Sequence, residues 1–398
     1  MGLTSTTLLL FTIEIALVVL GATVWWWPAV AKAHWRAVLG RIGMLLGSQL
    51  ALLAVIGLVV NNYFTFYSSW NDLLGTGGDA AVSVRGAAPA AAPLPPVGAS
   101  AAPSPSASPE PSNVPVLPAQ ELGKEPVDTG GRGGRDPRTV GEIRSVRIPG
   151  ARTGLSTDGY VYLPPQYFQP GNEQRRFPAL IAMTGFPGDA KNLITRLNYP
   201  GVALQEIQAG RMQPTVIVLM RPSPAMPADP ECEDVPDGPQ SDTYFTRDVP
   251  RAVAATYRVG TGPGAWGLIG NSTGGYCAAK LAMRHPDVFA GGVSMSGYLR
   301  AAEDVTTGDL FKGSQQRRNE ADLLWRLQNL PMPPTAIMLS GAEKGDGDFR
   351  KDADAFTAAA KPPLTTGTAS VPEGGHNFTT WIRLLPAAFQ FLSPHLKA

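Results

Sequence analysis

The longest apolar stretches of the chain lie in its first 75 residues. Residues 7–27 and 42–60 are each long enough and apolar enough to cross the hydrocarbon core of a membrane as a helix. Lys32 and Arg36 lie in the connection between them, whereas no Lys or Arg precedes the first apolar run. Basic residues stay on the cytoplasmic side. Residues 1–75 are therefore predicted to form a two-pass transmembrane hairpin with both ends outside the cytoplasm. A cleaved signal peptide is the alternative, although the basic region that normally opens one is missing.

The next segment, residues 76–139, is dominated by Ala, Pro, Ser and Gly. Large apolar side chains are too few there to bury a core, so we expect an extended extracytoplasmic linker rich in polyproline II structure. Such a linker spaces a folded domain from the membrane.

From residue 140 to the end, short apolar runs alternate with stretches of helical periodicity. The runs at 179–183 and 215–220 are nearly continuous in apolar residues, which is typical of strands covered on both faces. Strands are predicted at 159–163, 179–183, 215–220, 265–269, 291–296 and 335–340, and helices at 193–209, 245–257, 275–284, 322–328 and 349–360. The alternation predicts one domain over 140–398 with a mostly parallel sheet flanked by helices.

Composition narrows the possible functions. The 398 residues carry a net charge of +1 and only 16% charged side chains, so there is no basic field for nucleic acid. The two cysteines, Cys232 and Cys277, are too few for a disulfide scaffold and lack the paired spacing of a structural zinc site.

One motif in the folded domain carries chemistry. The segment G-N-S-T-G at 270–274 follows a predicted strand and precedes a predicted helix. A nucleophilic serine on such a turn needs small neighbours, because its backbone is strained and crowded. Ser272 is therefore the candidate nucleophile, and the N–H of Thr273, at the positive end of the helix, is a candidate oxyanion donor.

A serine hydroxyl needs a base, and the chain has four histidines. His34 falls in the membrane connection, His395 lies close to the C-terminus, and His285 ends the predicted helix after the nucleophile. His376, in the loop sequence VPEGGHNFTTW, is therefore the expected general base.

The acid of a catalytic triad should lie between the serine and the histidine, after a strand. The segment PTAIMLSGAEKGDGDF offers three carboxylates. Glu343 is the first choice because it comes first after the strand, and Asp346 and Asp348 are the alternatives. The second oxyanion donor is expected in the loop TGFPGD, at the backbone N–H of Phe186.

These motifs resemble the esterase D group of α/β-hydrolases, which includes S-formylglutathione hydrolases, ferric-enterobactin esterases and actinobacterial mycolyltransferases. The similarity covers about residues 147–392, with the segments VYLPPQYF, FPALIAMTGFPG, GLIGNSTGGYCAAKLAMRHPDVFAGGVSMSGY and GGHNFTTWIRLLPAAFQFL. In addition, NNYFTFYSSWNDLLG after the second apolar run looks like membrane-tethered actinobacterial relatives. The resemblance implies the α/β-hydrolase fold.

Position by position, the resemblance assigns the nucleophile to Ser272, the base to His376 and the acid to Glu343, with oxyanion amides at Phe186 and Thr273. The chain departs from the family at Thr184, where many members have histidine, and at Thr273, where methionine is usual. Neither departure removes a member of the triad, but the acyl pocket is expected to differ.

The location expected for the domain gives the cysteines a role. Outside the cytoplasm Cys232 and Cys277 can form a disulfide, which would hold the loop ECEDVPDGPQSDTYF beside the nucleophile. Two separate buried thiols are the alternative.

The function expected from the sequence is a serine carboxylic-ester hydrolase of the cell envelope, working through an acyl-enzyme on an ester or glycolipid and requiring no cofactor or metal. A mycolyltransferase-like enzyme that moves the acyl group to a sugar hydroxyl is the first alternative. A non-catalytic envelope protein that binds through a hydrolase-like domain is the second.

Overall fold

A computed structural model describes residues 1–76, 81–86, 114–129 and 136–398. Contacts between backbone positions divide these residues into two compact units. The smaller contains Met1–Ala81 together with two later segments, Ala342–Asp348 and Val371–Thr380. The larger contains Val82–Gly341, Phe349–Ser370 and Trp381–Ala398.

The N-terminal part of the smaller unit is helical. Helix α1 (Thr6–Trp26) continues into a 3₁₀ turn (Trp27–Val30), and helix α2 (Trp35–Phe64) is followed by the short helix α3 (Trp70–Leu74). Thr23 and Ser48 join α1 to α2 through a hydroxyl–hydroxyl hydrogen bond of 3.0 Å. Both helices are long and apolar enough to cross a membrane. Most of their large apolar side chains are exposed.

Within the described residues, ten strands form one sheet in the order β1-β10-β9-β8-β7-β5-β6-β4-β3-β2. The strands are β1 (Ser83–Arg85), β2 (Gln120–Glu125), β3 (Glu142–Pro149), β4 (Ser156–Leu163), β5 (Ala179–Met183), β6 (Val216–Met220), β7 (Trp266–Asn271), β8 (Phe289–Met295), β9 (Ala336–Ala342) and β10 (Thr365–Val371). The five central strands from β6 to β9 are parallel, and β2, β3 and β4 add an antiparallel flank.

Helices connect the strands. Those of the chain after α3 are α4 (Pro137–Val140), α5 (Asn192–Thr195), α6 (Tyr199–Gln208), α7 (Ser241–Thr243), α8 (Val249–Thr256), α9 (Thr273–Arg284), α10 (Gln315–Ala321), α11 (Leu323–Asn329), α12 (Phe349–Ala359) and α13 (Phe378–Leu392). In the described residues after α3, three further short segments are 3₁₀ or π helix: Pro165–Tyr167, Tyr244–Asp248 and Ser393–His395.

The central strands are apolar for a physical reason. Every residue of β5 and β6 is buried, as expected when helices cover both faces of a parallel sheet. The predicted α/β-hydrolase architecture, a mostly parallel sheet with flanking helices, is confirmed. Two strands come from the segment predicted to be a linker: β1 pairs antiparallel with β10, and β2 with β3. The rest of that prediction, over 77–80, 87–113 and 130–135, lies outside the described residues.

Candidate active site

Ser272 occupies a sharp turn between β7 and α9. Its backbone has φ 56° and ψ −125°, a strained conformation for a residue with a side chain. Hydrogen bonds hold the turn: the Ser272 N–H donates to Met295 O at 2.9 Å, and Ser272 O accepts from the N–H groups of Gly275 and Tyr276. The serine therefore precedes the first turn of a buried helix, where backbone N–H groups point outward.

The two glycines of the motif are required by close backbone contacts. A Cβ atom on Gly270 would lie 2.3 Å from Gly274 O, and one on Gly274 would lie 2.4 Å from the carbonyl oxygens of Met183 and Thr184. Such distances exclude any larger residue unless the backbone moves. The G-x-S-x-G pattern thus reflects how closely the first turn of α9 approaches the end of β5.

The loop after β5 passes directly beside Ser272. A Cβ atom on Gly185 would lie 2.8 Å from the Cβ of Ser272. Thr184 braces this loop by donating its hydroxyl to Gly185 O at 2.6 Å, and Phe186 follows immediately. The loop predicted to supply an oxyanion donor is therefore adjacent to the turn that carries Ser272.

Thr273 takes part in a buried polar network. Its hydroxyl lies 3.0 Å from the hydroxyl of Tyr298, which also donates to the carboxyl group of Glu231. Glu231 is 1% exposed, and it has a positive φ of 49°. The departure of this chain from the family at Thr273 thus coincides with a polar partner for that residue. Tyr298 and Glu231 carry no local sequence signal for this site, because only the fold brings their segments together.

The predicted disulfide is confirmed: Cys232 and Cys277 are bonded, with their Cα atoms 5.7 Å apart. The bridge closes a segment of 45 residues in the chain, which in the chain-entropy view stabilises the folded state by roughly 4 kcal/mol. Cys277 lies in the first half of α9, and Cys232 is next to Glu231. The bridge therefore holds the Glu231 loop against α9, the helix that begins directly after Ser272.

Burial raises the pKa of Glu231 to about 8, and the neighbouring Asp229 adds to the effect. An acid whose folded-state pKa exceeds its usual value of 4.5 contributes stability that is complete below pH 4.5 and is lost as the pH rises through about 8. We therefore expect the wild type to lose stability between pH 5 and pH 8.5 more steeply than Glu231→Gln does. Denaturant unfolding across that range measures this difference, and parallel profiles for the two proteins would contradict the prediction.

His285 has a structural partner at the opposite end of α9 from Ser272. Its Nε2 lies 2.6 Å from Asp242 Oδ1, and Arg284 donates to the other oxygen of that carboxylate. Burial opposes ionisation of Asp242, but the contacts with His285 and Arg284 outweigh it and lower the pKa of Asp242. Glu233 joins the same group by accepting from Lys280 at 2.9 Å. This pairing gives His285 a structural partner at the C-terminal end of α9.

His376 lies in the smaller unit, in the loop between β10 and α13. Its Nδ1 is 3.0 Å from Asp346 Oδ1. The Asp346 side chain is 2% exposed and the imidazole 25% exposed, so the carboxylate is inside and the ring reaches solvent. The other Asp346 oxygen accepts from the N–H of Ala342 at 3.2 Å. The structure thus brings together a histidine and a buried carboxylate that fixes its ring.

The three carboxylates proposed for the acid differ in their surroundings. Glu343 is half-buried and its backbone N–H donates to Val371 O at 2.9 Å, whereas Asp348 is exposed. Asp346, an alternative in the sequence analysis, is the one bonded to the imidazole. Gly345 and Gly347 have φ of 90° and 54°, so the G-D-G turn reverses sharply on both sides of Asp346. The glycines on either side of Asp346 were the feature of the sequence that could have favoured it over the other two carboxylates.

A cavity of about 530 Å³ opens in the larger unit. Its walls include Tyr160, Asp189, Arg221 and Met226. Arg221 and Asp189 form an ion pair of 2.5 Å there, so the cavity has a polar, hydrogen-bonding wall. Asp189 lies three residues after Phe186 in the chain.

The parallel sheet with flanking helices and the tight turn between β7 and α9 give the larger unit the α/β-hydrolase fold. Residues 150–392, more than half of the chain, match the family model described as "Putative esterase". The chain belongs to this esterase family.

Individual relatives agree with this assignment. A protein of Corynebacterium glutamicum, described as uncharacterized, is 25% identical over 277 residues, which is 65% of this chain and 63% of the relative. The MPT51/MPB51 antigen of Mycobacterium tuberculosis is 39% identical over 77 residues, 19% of this chain and 25% of the antigen. The chain thus spans less than two thirds of the length of either relative.

Among solved structures, an S-formylglutathione hydrolase from Agrobacterium tumefaciens superimposes with a TM-score of 0.54 at 13% identity. The match covers 70% of this chain and all of that enzyme. At this identity the likeness concerns the fold.

Proposed function

We propose that this protein is a carboxylic-ester hydrolase that works through an acyl-enzyme on Ser272. The observation that carries the proposal is the strained turn of Ser272 at the start of α9. Strain of this kind costs folding free energy and persists mainly where a function requires it. The hydrogen-bonded pair of His376 and Asp346 supports the proposal, because it is a base with an orienting acid in the chain order of this fold.

In the proposed reaction, Ser272 Oγ attacks the ester carbonyl carbon while His376 Nε2 takes the hydroxyl proton. The N–H groups of Thr273 and Phe186 stabilise the negative charge on the carbonyl oxygen. Asp346 stays ionised, accepts a hydrogen bond from Nδ1–H and stabilises the imidazolium. The C–O bond to the alcohol then breaks and His376 protonates the leaving oxygen. Water repeats the sequence on the acyl-enzyme, releasing the carboxylic acid and restoring Ser272.

The same acyl-enzyme can transfer its acyl group to a sugar hydroxyl instead of water, as the resemblance to mycolyltransferases implies. The cavity lined by Asp189 and Arg221 has polar walls that suit a hydroxyl-rich group in either the ester or the acceptor. To separate the two reactions, the purified full chain is given a glycolipid ester with and without a free sugar, and the products are weighed. Free acid in both samples supports hydrolysis. Acylated sugar, formed at the expense of acid, supports transfer.

We further propose that α1 and α2 span the membrane and that the catalytic domain lies outside the cytoplasm. The exposed apolar surface of both helices needs a nonpolar environment, and the connection between them carries Lys32. On intact cells, a membrane-impermeant thiol reagent should label Ala398→Cys and not Lys32→Cys. The reverse pattern would contradict this orientation.

A further inference from the structure

The residues that follow the second long helix do not simply lead away from it. We call residues 65–74 the exit segment. Thr65, which ends α2, has φ 54° and donates its N–H to Asn61 O at 2.7 Å. The buried side chain of Asn61 then accepts from Tyr67 N at 2.9 Å and donates to Tyr67 O at 3.0 Å. These bonds turn the chain back at the helix end, so the exit segment has a defined conformation.

The exit segment is bonded to the loop that carries His376. The backbone N–H of His376 donates to Thr65 O at 2.9 Å. The side-chain amide of Asn377 donates to Phe66 O at 2.6 Å and lies 3.1 and 3.2 Å from the two carboxylate oxygens of Asp72. The proposed base and its neighbour thus bond to two consecutive carbonyl groups and one carboxylate of the exit segment.

Asp72 and Asn377 each accept a further hydrogen bond that fixes the side chain. Asp72 Oδ2 accepts from the N–H of Ser68 at 2.9 Å. Asn377 Oδ1 accepts from the N–H of Thr380, in the first turn of α13, at 3.0 Å. The contact between Asp72 and Asn377 therefore joins the exit segment to the start of α13, with His376 immediately before it in the chain.

Two glycines allow the exit segment to approach both functional loops. A Cβ atom on Gly375 would lie 2.2 Å from Phe66 O, and one on Gly345 would lie 2.1 Å from the Cβ of Ser68. Gly375 precedes the histidine and Gly345 precedes Asp346. The exit segment therefore contacts the acid loop and the histidine loop at positions where any side chain would collide with it.

We infer that the exit segment is part of the machinery that orients the catalytic histidine, and that Asp72 and Asn377 are positioning residues. This inference rests on the proposed function, in which His376 is the base. A flexible tether would need no buried asparagine turn, no bonds to the histidine loop and no glycines facing it. Because the segment begins at the end of α2, the membrane hairpin would support catalysis directly as well as anchor the domain.

The test uses the full chain in detergent micelles with a chromogenic ester. Asp72→Ala is expected to lower kcat about 10- to 100-fold with little change in KM, since a base displaced by about 1 Å loses that much rate. Asn71→Ala is the matched control on the same short helix, because its side chain bonds the exposed Thr76 at 3.3 Å. It should keep kcat within about twofold of wild type.

A reciprocal exchange provides a second test. Asn377→Asp alone places two carboxylates face to face and is expected to lower kcat at least as much as Asp72→Ala. Asp72→Asn combined with Asn377→Asp restores an amide–carboxylate pair and should recover at least about fivefold of the loss, as coupled neighbours do in a double-mutant cycle.

The inference is overturned if folded Asp72→Ala and Asn377→Asp both turn over at the wild-type kcat, or if the exchange restores the melting temperature without restoring kcat. Failure of the proposed function looks different. In that case the wild type itself has no esterase activity above that of Ser272→Ala.

Discussion

Replacing Ser272 by alanine is expected to lower kcat for ester hydrolysis by at least about 10⁴-fold, because the residual rate then comes only from binding and oxyanion stabilisation. The substitution removes one oxygen atom, and the backbone bonds of the turn to Met295, Gly275 and Tyr276 can be kept. The protein should therefore melt close to the wild-type temperature. The measurement is kcat at a saturating ester concentration for the full chain, with thermal unfolding recorded on the same sample.

His376, the proposed base, has a matched control in His285, because each of these histidines contacts an aspartate. His376 pairs with Asp346 at 3.0 Å and His285 with Asp242 at 2.6 Å. His285 caps the far end of α9, about 18 Å along the helix from its start. His376→Ala is expected to match Ser272→Ala in lost kcat, whereas His285→Ala should keep kcat within about threefold and lower stability. Full activity in folded His376→Ala would exclude it as the base.

Asp346→Asn is expected to lower kcat about 10³- to 10⁴-fold with little change in KM. An asparagine can turn its amide N–H toward Nδ1 and hold the imidazole in the tautomer that cannot accept the serine proton. The fold of the G-D-G turn need not change, since asparagine has the same shape. The measurement is kcat and KM for the purified variant.

Glu343→Gln and Asp348→Asn are the matched controls, because both remove one charge from the same loop. Each is expected to keep kcat within about tenfold of wild type, as their side chains are half-buried and exposed, respectively. If Glu343→Gln loses the activity and Asp346→Asn keeps it, then Glu343, the first choice on sequence, is the acid.

The apolar pattern predicted the centre of the sheet but not its margins. β5 and β6 are visible in the sequence because helices cover both of their faces, so nearly every residue is apolar. β3 has several half-buried or exposed positions, and charged residues interrupt its apolar pattern. β10 is built largely from Thr, Ser, Gly and Ala. Such strands form because a neighbouring strand offers them hydrogen bonds. Their own residues therefore carry little signal for a strand.

β1 and β2 illustrate the same limit. Both come from the segment that composition marked as a linker, and all three residues of β1 are exposed. Each strand pairs with one neighbour near an edge of the sheet, β1 with β10 and β2 with β3. When composition is averaged over a long window, strands as short as these do not stand out from the linker around them.

The site shows which kinds of residue can be found from sequence. Ser272 could be predicted because its turn depends on glycines within two positions of it. The sequence could not decide the acid, because three carboxylates lie within six residues; in the structure Asp346 lies 3.0 Å from His376 Nδ1. The contact of Asp72 with Asn377 joins residues that are 305 positions apart. No local pattern marks it.

The central claim is that Ser272 is an activated nucleophile, and covalent labelling tests it most directly. The purified full chain is treated with a fluorophosphonate probe, digested and examined by mass spectrometry for the modified residue. We predict one adduct, on the peptide that contains Ser272, with no adduct in Ser272→Ala and a much slower reaction in His376→Ala. A folded wild type that takes up no probe, or equal labelling of Ser272→Ala, would contradict the claim and favour a non-catalytic binding protein.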